Sequence, residues 1–94
     1  MVIEVRKWPD KYVWERFVNG VDWAERLDGD EIASVQALLI YGDVDLDQPF
    51  ATDFEGAIQS VAVSGGTPGP QAVSCRVVTV SGLQLEETQR FNVV

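Results

Sequence analysis

The stretch SGGTPG, residues 64–69, separates two strand-like runs and decides the fold class. The run before it covers residues 60–63, and the run after it covers residues 72–80. Glycine adopts positive φ without steric cost, whereas proline fixes φ and lacks the amide hydrogen that a β-ladder requires. We therefore predict that a turn joins the two runs as antiparallel strands. Ser81-Gly82 predicts a second turn into a third strand, so the three strands would form a meander.

Alternating polarity in the last two strands indicates which side chains face the core. Val73, Cys75 and Val77 fall on one side of their strand, and Ser74 and Arg76 fall on the other. The closing strand repeats this pattern, because apolar and polar residues alternate along it with a period of two. The inward row predicted from both strands is Val73, Cys75, Val77, Phe91 and Val93.

Turn signals divide most of the remaining chain into short elements. An acidic run that contains a glycine permits a single helical turn at most between residues 24 and 31. Trp23 comes directly before this run, and we expect its large apolar side chain to fill the core. The other predicted elements are a strand at residues 17–23 with a bend or bulge at Asn19-Gly20, a loop at residues 42–50, and a strand at residues 54–64 that is broken near Gly56.

Residues 31–41 are compatible with two kinds of secondary structure. Their alanine, glutamine and leucine content suits a helix. The β-branched residues Ile32, Val35 and Ile40, with a loop at each end of the run, favour a strand. We therefore predict a strand here, and with this strand the whole chain is predicted to be an all-β domain.

Composition excludes several classes of function. A chain of 94 residues forms one domain, and its 15 acidic and 7 basic residues give a net charge of −8, which would repel nucleic acid. The absence of histidine rules out a Ser-His-Asp triad. Cys75 is the only cysteine, so an intrachain disulfide is ruled out, and we expect Cys75 to be a core thiol. The longest apolar run, residues 37–41, is too short to span a membrane. We predict no enzymatic activity, no cofactor, no nucleic-acid partner and no membrane partner.

Acidic residues alternate in the predicted loop at residues 42–50, which precedes the predicted strand at residues 54–64. Asp43, Asp45 and Asp47 could present hard oxygen ligands to calcium from one side of the loop. An EF-hand loop that began at Asp43 would need glycine where this chain has Gln48 and glutamate where it has Phe54. The pattern therefore favours a solvated acidic loop over an ion site.

Aromatic residues are concentrated in the first fourteen residues, around a turn signal at Pro9-Asp10. A small core that already holds Trp23 has little room for both Trp8 and Trp14, so one of them would fold back onto the core and the other would meet a partner. We predict an N-terminal arm at residues 1–14 and a sandwich domain at residues 15–94. The arm would be loosely docked in the isolated chain and ordered by a partner, or it would add a strand to its own sheet. The predicted partner-interface residues are Trp8, Pro9, Tyr12 and Trp14.

Several short motifs, in their order along the chain, resemble the fiber-tail adaptor family of tailed bacteriophages. In the front half these motifs are KWPDK at residues 7–11, GVDWAERL at residues 20–27 and GDEIAS at residues 29–34. In the back half they are VSGGTPG at residues 63–69, RVVTVSG at residues 76–82 and Glu87-Thr88 before the closing strand. The similarity covers nearly the whole chain from Lys7 onward.

This resemblance implies an immunoglobulin-like antiparallel β-sandwich that acts as a structural protein of the virion. Such a protein would connect the tail tube or baseplate to tail fibres, as a homo-oligomer or ring, in a tail assembled in the cytoplasm of the host bacterium. The alternative is a small ligand-binding or carbohydrate-binding sandwich, which would need a row of exposed aromatic side chains. The predicted outward positions Ser60, Ala62, Ser74 and Arg76 supply no such row.

Overall fold

Two β-sheets stack face to face in a computed structural model, which describes residues 6–46 and 53–94. The first sheet has the strand order β1-β8-β7-β3, and the second has the order β2-β6-β4, with β5 also paired to β6. All pairs are antiparallel except β1 with β8. The elements are β1 (Arg6–Lys7), β2 (Arg16–Asp22), α1 (Ala24–Leu27), β3 (Ile32–Tyr41), β4 (Asp45–Leu46), β5 (Asp53–Glu55), β6 (Ile58–Ser64), β7 (Gly69–Thr79) and β8 (Gln84–Val93).

The stretch at residues 64–69 connects the two sheets and does not form a hairpin. Gly65 and Gly66 have φ of 65° and 89°, as their glycine identity predicts. The strand before them, β6, pairs with β2 on one side and with β4 and β5 on the other, so β7 finds no free edge there. The predicted pairing across this stretch is therefore wrong. The hairpin between β7 and β8, which closes at residues 80–83, is confirmed.

The predicted inward row forms the centre of the core. Val73, Cys75, Val77, Phe91 and Val93 are all buried, and they meet Val61 and Val63 of the second sheet. Fully buried Trp23 confirms its predicted place in the core, where its Nε1 donates to Oε1 of Gln59 at 3.0 Å. The Nε2 of Gln59 donates to the carbonyl of Gln36 on β3 at 3.1 Å, which links the two sheets. Every polar group in this buried bridge therefore has a partner.

The remaining helix and strands are of the predicted type, but some of their boundaries and irregularities differ from the prediction. β3 confirms the strand at residues 31–41, and α1 is the single helical turn that was predicted. Gly56, with φ of 60°, marks the break between β5 and β6. β2 pairs residue for residue with β6, so the expected irregularity at Asn19-Gly20 is absent from that ladder. β4 interrupts the predicted loop at residues 42–50, whose last four residues lie outside the described part of the chain.

No helix within the described residues has the length and apolar character that crossing a membrane would require.

Candidate docking site

Residues 6–11 of the predicted N-terminal arm lie along the last strand of their own domain, and residues 1–5 lie outside the described part of the chain. β1 pairs in parallel with β8, and the amide of Trp8 donates to the carbonyl of Arg90 at 2.9 Å. The amide of Lys11 donates to the carbonyl of Asn92 at 2.9 Å, and the amide of Val94 donates back to Lys11 at 2.7 Å. Residues 6–11 thus cover an edge of β8 whose amides and carbonyls would otherwise be unpaired. This arrangement corrects the expectation of loose docking for residues 6–11 and favours the alternative, an added strand.

Trp8 closes one side of the sandwich between the two sheets. Its side chain is 5% exposed, and its ring lies 6.0 Å from the ring of Phe91, centroid to centroid. Its Nε1 donates to the carbonyl of Gly20 on β2 at 3.4 Å. Trp8 is therefore the arm tryptophan that folds back onto the core, because the pairing of β1 with β8 directs its side chain there, and this burial argues against Trp8 as a partner-interface residue.

The other three predicted interface residues lie at the surface. Pro9 is exposed, as are Tyr12 and Trp14, which flank Val13 in a turn at residues 12–15. The amide of Glu15 donates to the carbonyl of Tyr12 at 3.0 Å, and the carboxylate of Glu15 accepts from the amide of Tyr12 at 2.7 Å. Trp14 is 94% exposed. We call residues 12–15 the aromatic turn, and its contact with a partner stays a prediction.

A buried lysine holds the aromatic turn in place. Lys11 is 0% exposed, and its Nζ donates to the carbonyls of Tyr12 at 2.8 Å, Val13 at 3.1 Å and Gly65 at 2.7 Å. An ammonium group has three N–H donors, so all three are used. Burial of a charged group is tolerated where such bonds replace those to water. Sequence reasoning missed this role, because the partner at Gly65 lies 54 residues away.

The loop that contains Gly65 is itself fixed by polar side chains. The carboxylate of Asp43 accepts from the amide of Thr67 at 2.9 Å, from the Thr67 hydroxyl at 2.7 Å and from Nε2 of Gln71 at 3.1 Å. These hydrogen bonds, the one from the Thr67 amide first, lower the pKa of Asp43 below its ordinary value. Oε1 of Gln71 accepts in return from the amides of Asp43 at 2.8 Å and Val44 at 3.2 Å. Lys11 therefore attaches the aromatic turn to a loop that is already ordered.

The same contacts bear on the acidic loop at residues 43–47. Both carboxylate oxygens of Asp43 are occupied by Thr67 and Gln71, Asp45 is exposed, and Asp47 lies outside the described residues. Across residues 6–46 and 53–94, no three acidic or cysteine side chains are grouped as metal ligands. The structure thus gives Asp43 a role in fixing the loop.

Cys75 is a core thiol, as predicted. Its side chain is fully buried, and burial, with a smaller contribution from the charge of Glu87, raises the pKa of Cys75 to about 12. A thiol needs an ionised sulfur to act as a nucleophile. Cys75 is therefore held in its unreactive form at neutral pH.

These features define a class of protein, an immunoglobulin-like β-sandwich that carries an exposed aromatic turn. A similar solved fold is the solution structure of the PKD domain from the KIAA 1837 protein. The two structures have a TM-score of 0.57 and 19% sequence identity, over 90% of this chain and 79% of that chain. At this level of identity the likeness concerns the fold alone. No curated protein sequence matches this chain.

The chain belongs to the family described as podophage GP4 fiber-tail adaptor protein gp77, whose sequence model matches residues 11–92. This match confirms the resemblance seen in the sequence. The chain is accordingly a structural protein of the phage tail and a component of the virion, and it interacts with other tail or fibre proteins. The matched region begins at Lys11, the residue that anchors the aromatic turn.

Proposed function

We propose that this protein is an adaptor that connects the tail tube or baseplate to the tail fibres, and that the aromatic turn is one of its docking points. The observation that carries the proposal is the combination of a tryptophan that is 94% exposed with a turn that a buried lysine holds at three carbonyls. Family membership supplies the context, since the family consists of fiber-tail adaptors.

Energetics favour Trp14 as the central contact. Tryptophan and tyrosine are enriched among the residues that dominate binding energy at interfaces. Burial of one large apolar side chain contributes about 1.5–3 kcal/mol. The turn is already ordered by Lys11 and Glu15, so less conformational entropy is lost when a partner binds than for a mobile segment.

The rest of the molecule would serve as a rigid block between neighbours. Gln59 joins the sheets through Trp23 and Gln36, and residues 6–11 close one edge of the first sheet. In this proposal residues 6–11 hold the predicted arm at residues 1–14 on the sandwich at residues 15–94, and the aromatic turn follows directly. Several copies would assemble as a homo-oligomer or ring, with assembly in the cytoplasm of the host bacterium.

Co-expression with the other tail proteins of the same phage tests the aromatic turn. Trp14→Ala should leave the melting temperature unchanged and reduce co-purification of the tail complex at least tenfold. Leu83→Ala is the matched control. Leu83 is also exposed, but it lies directly before the start of β8, at the opposite end of that strand from the residue that pairs with Lys11. Wild-type recovery of the complex with Trp14→Ala would contradict the proposal.

A further inference from the structure

Two cations lie directly opposite each other in the first sheet. The register of β1 and β8 pairs Lys7 with Arg90. Two like charges next to each other on neighbouring strands repel each other, which destabilises the sheet. The chain contains only 7 basic residues against 15 acidic ones, so this juxtaposition is not a consequence of an excess of positive charge.

The positive charge of this pair is largely uncompensated within the described residues. The Nζ of Lys7 reaches one carboxylate oxygen of Asp10 at 4.0 Å, and both side chains are about half exposed or more. An ion pair of that length and exposure contributes little. Within residues 6–46 and 53–94, no carboxylate forms an ion pair with Arg90. By contrast, Arg76 on β7 pairs with Glu86 at 2.5 Å.

Lys7 and Arg90 line a groove of about 430 Å³ on the outer face of the first sheet. Tyr41, at the end of β3, forms another part of the wall and is 63% exposed. Pro70 and Ala72 of β7 add apolar surface between the cations and the tyrosine ring. The groove therefore offers positive charge at one side and apolar contact at the other.

We propose that this groove, lined by Lys7, Tyr41, Pro70, Ala72 and Arg90, binds a short acidic segment of a partner protein. A carboxylate of the segment would accept hydrogen bonds from the guanidinium of Arg90 and from the ammonium of Lys7, which removes the repulsion between them. An apolar side chain of the same segment would pack on Tyr41 and Pro70.

The overall charge of the chain decides between this occupant and a polyanion. A net charge of −8 opposes the approach of nucleic acid, whose negative charge is repeated along its whole length. A segment with one or two carboxylates experiences much less of that repulsion and is still attracted to the two adjacent cations. This site is separate from the aromatic turn, and it extends the proposed function by giving the chemistry of a second partner contact.

Titration of the isolated chain with a capped pentapeptide, acetyl-GELEG-amide, tests the groove by two-dimensional NMR. Saturable shifts should appear at Lys7, Tyr41, Ala72 and Arg90, and Arg90→Gln should weaken binding at least tenfold. The neutral peptide acetyl-GQLQG-amide is the matched control and should cause no shifts. Because no tail protein is present, a failure here would leave the role of Trp14 untouched.

Three results would overturn the proposal. The first is an absence of shifts with the acidic peptide, and the second is shifts of equal size with the neutral peptide. The third is the same groove shifts with inorganic phosphate at the same concentration, because this result would indicate a general anion site.

Thermal unfolding provides a second, independent readout. Arg90→Gln removes a like-charge contact and should raise the melting temperature by about 1–4 °C. Arg76→Gln removes an ion pair with Glu86 and should not raise it. A lower melting temperature for Arg90→Gln would show that Arg90 stabilises the fold, and it would overturn the proposal.

Discussion

Lys11 is a buried side chain that fixes the conformation of the exposed aromatic turn. Its ammonium is buried, and the three carbonyls that it contacts belong to the aromatic turn and to the loop between the sheets. Two segments far apart in sequence are thereby fixed relative to each other. The exposure of Trp14 and the burial of Lys11 are thus two aspects of one local arrangement.

Replacement of Lys11 should destabilise the protein strongly. Lys11→Met keeps the length of the side chain but leaves three carbonyls without their donor, so we expect the free energy of unfolding to fall by about 2–4 kcal/mol. Lys7→Met is the matched control, because Lys7 is exposed and lies opposite Arg90, and its replacement should not destabilise the protein. Urea unfolding of both variants checks this prediction, which equal stabilities would contradict.

The buried thiol of Cys75 should contribute to the pH dependence of stability. Its folded-state pKa is raised from 9.0 to about 12, so its contribution is present below pH 9 and is lost as the pH rises toward 12. Between pH 8 and 10.5, the wild type should lose about 2 kcal/mol more than Cys75→Ala, at about 1.4 kcal/mol per pH unit above pH 9. Parallel stability profiles for the two proteins over this range would contradict the prediction.

At the scale of elements, the connection at residues 64–69 determines how the sheets are joined. Gly66 combines positive φ with tight surroundings, since a Cβ there would lie 2.8 Å from Cγ1 of Val44 and 3.2 Å from Cγ2 of Val93. Gly29 has the same φ of 89°, but a Cβ there would meet no atom within 4 Å. The two glycines therefore separate the effect of backbone conformation from the effect of packing.

Alanine at these two positions should have different consequences. Both variants bear the strain of a side chain at positive φ, but only Gly66→Ala crowds the core. We expect Gly66→Ala to lower the free energy of unfolding by about 1–3 kcal/mol more than Gly29→Ala does. Thermal or urea unfolding measures this difference. Equal losses would mean that the loop moves aside without cost.

The sequence predicted strands well and their partners less well. Alternation identified the inward row around Cys75, and β-branching identified β3 as a strand, because both signals are local to one element. The pairing across residues 64–69 was wrong because alternation does not specify which sheet a strand joins. The sequence did not indicate which of Trp8 and Trp14 folds back onto the core, because β1 has two residues, too few for any periodic pattern, and depends on pairing with β8.

The candidate docking site shows the same limit of local reasoning. Tyr12 and Trp14 could be proposed from residue type and from their place beside Pro9, and the structure exposes both. Lys11 could not be assigned its role, because that role depends on a carbonyl of Gly65 brought close by the fold. The cationic groove likewise combines residues from β1, β3, β7 and β8.

At the scale of the whole molecule, the protein is a two-sheet sandwich with several aromatic side chains at its surface, among them Tyr12 and Trp14. The N-terminal arm covers one edge of the first sheet from residue 6 to residue 11, and the aromatic turn follows directly. A structural protein of the phage tail needs rigid placement of its contact points, because its neighbours are themselves fixed in the virion. The arm serves both needs, since it completes the sandwich with Trp8 and presents Trp14 outside it.

Hydroxyl-radical footprinting of intact tails against the isolated chain tests the docking role of Trp14 most directly. In the isolated chain Trp14 should be oxidised rapidly, because it is almost fully exposed, while buried Trp8 and Trp23 should react slowly. In assembled tails the oxidation rate of Trp14 should fall at least tenfold, to a rate close to that of Trp23. An unchanged oxidation rate at Trp14 in assembled tails would contradict the claim that the aromatic turn docks a neighbouring protein.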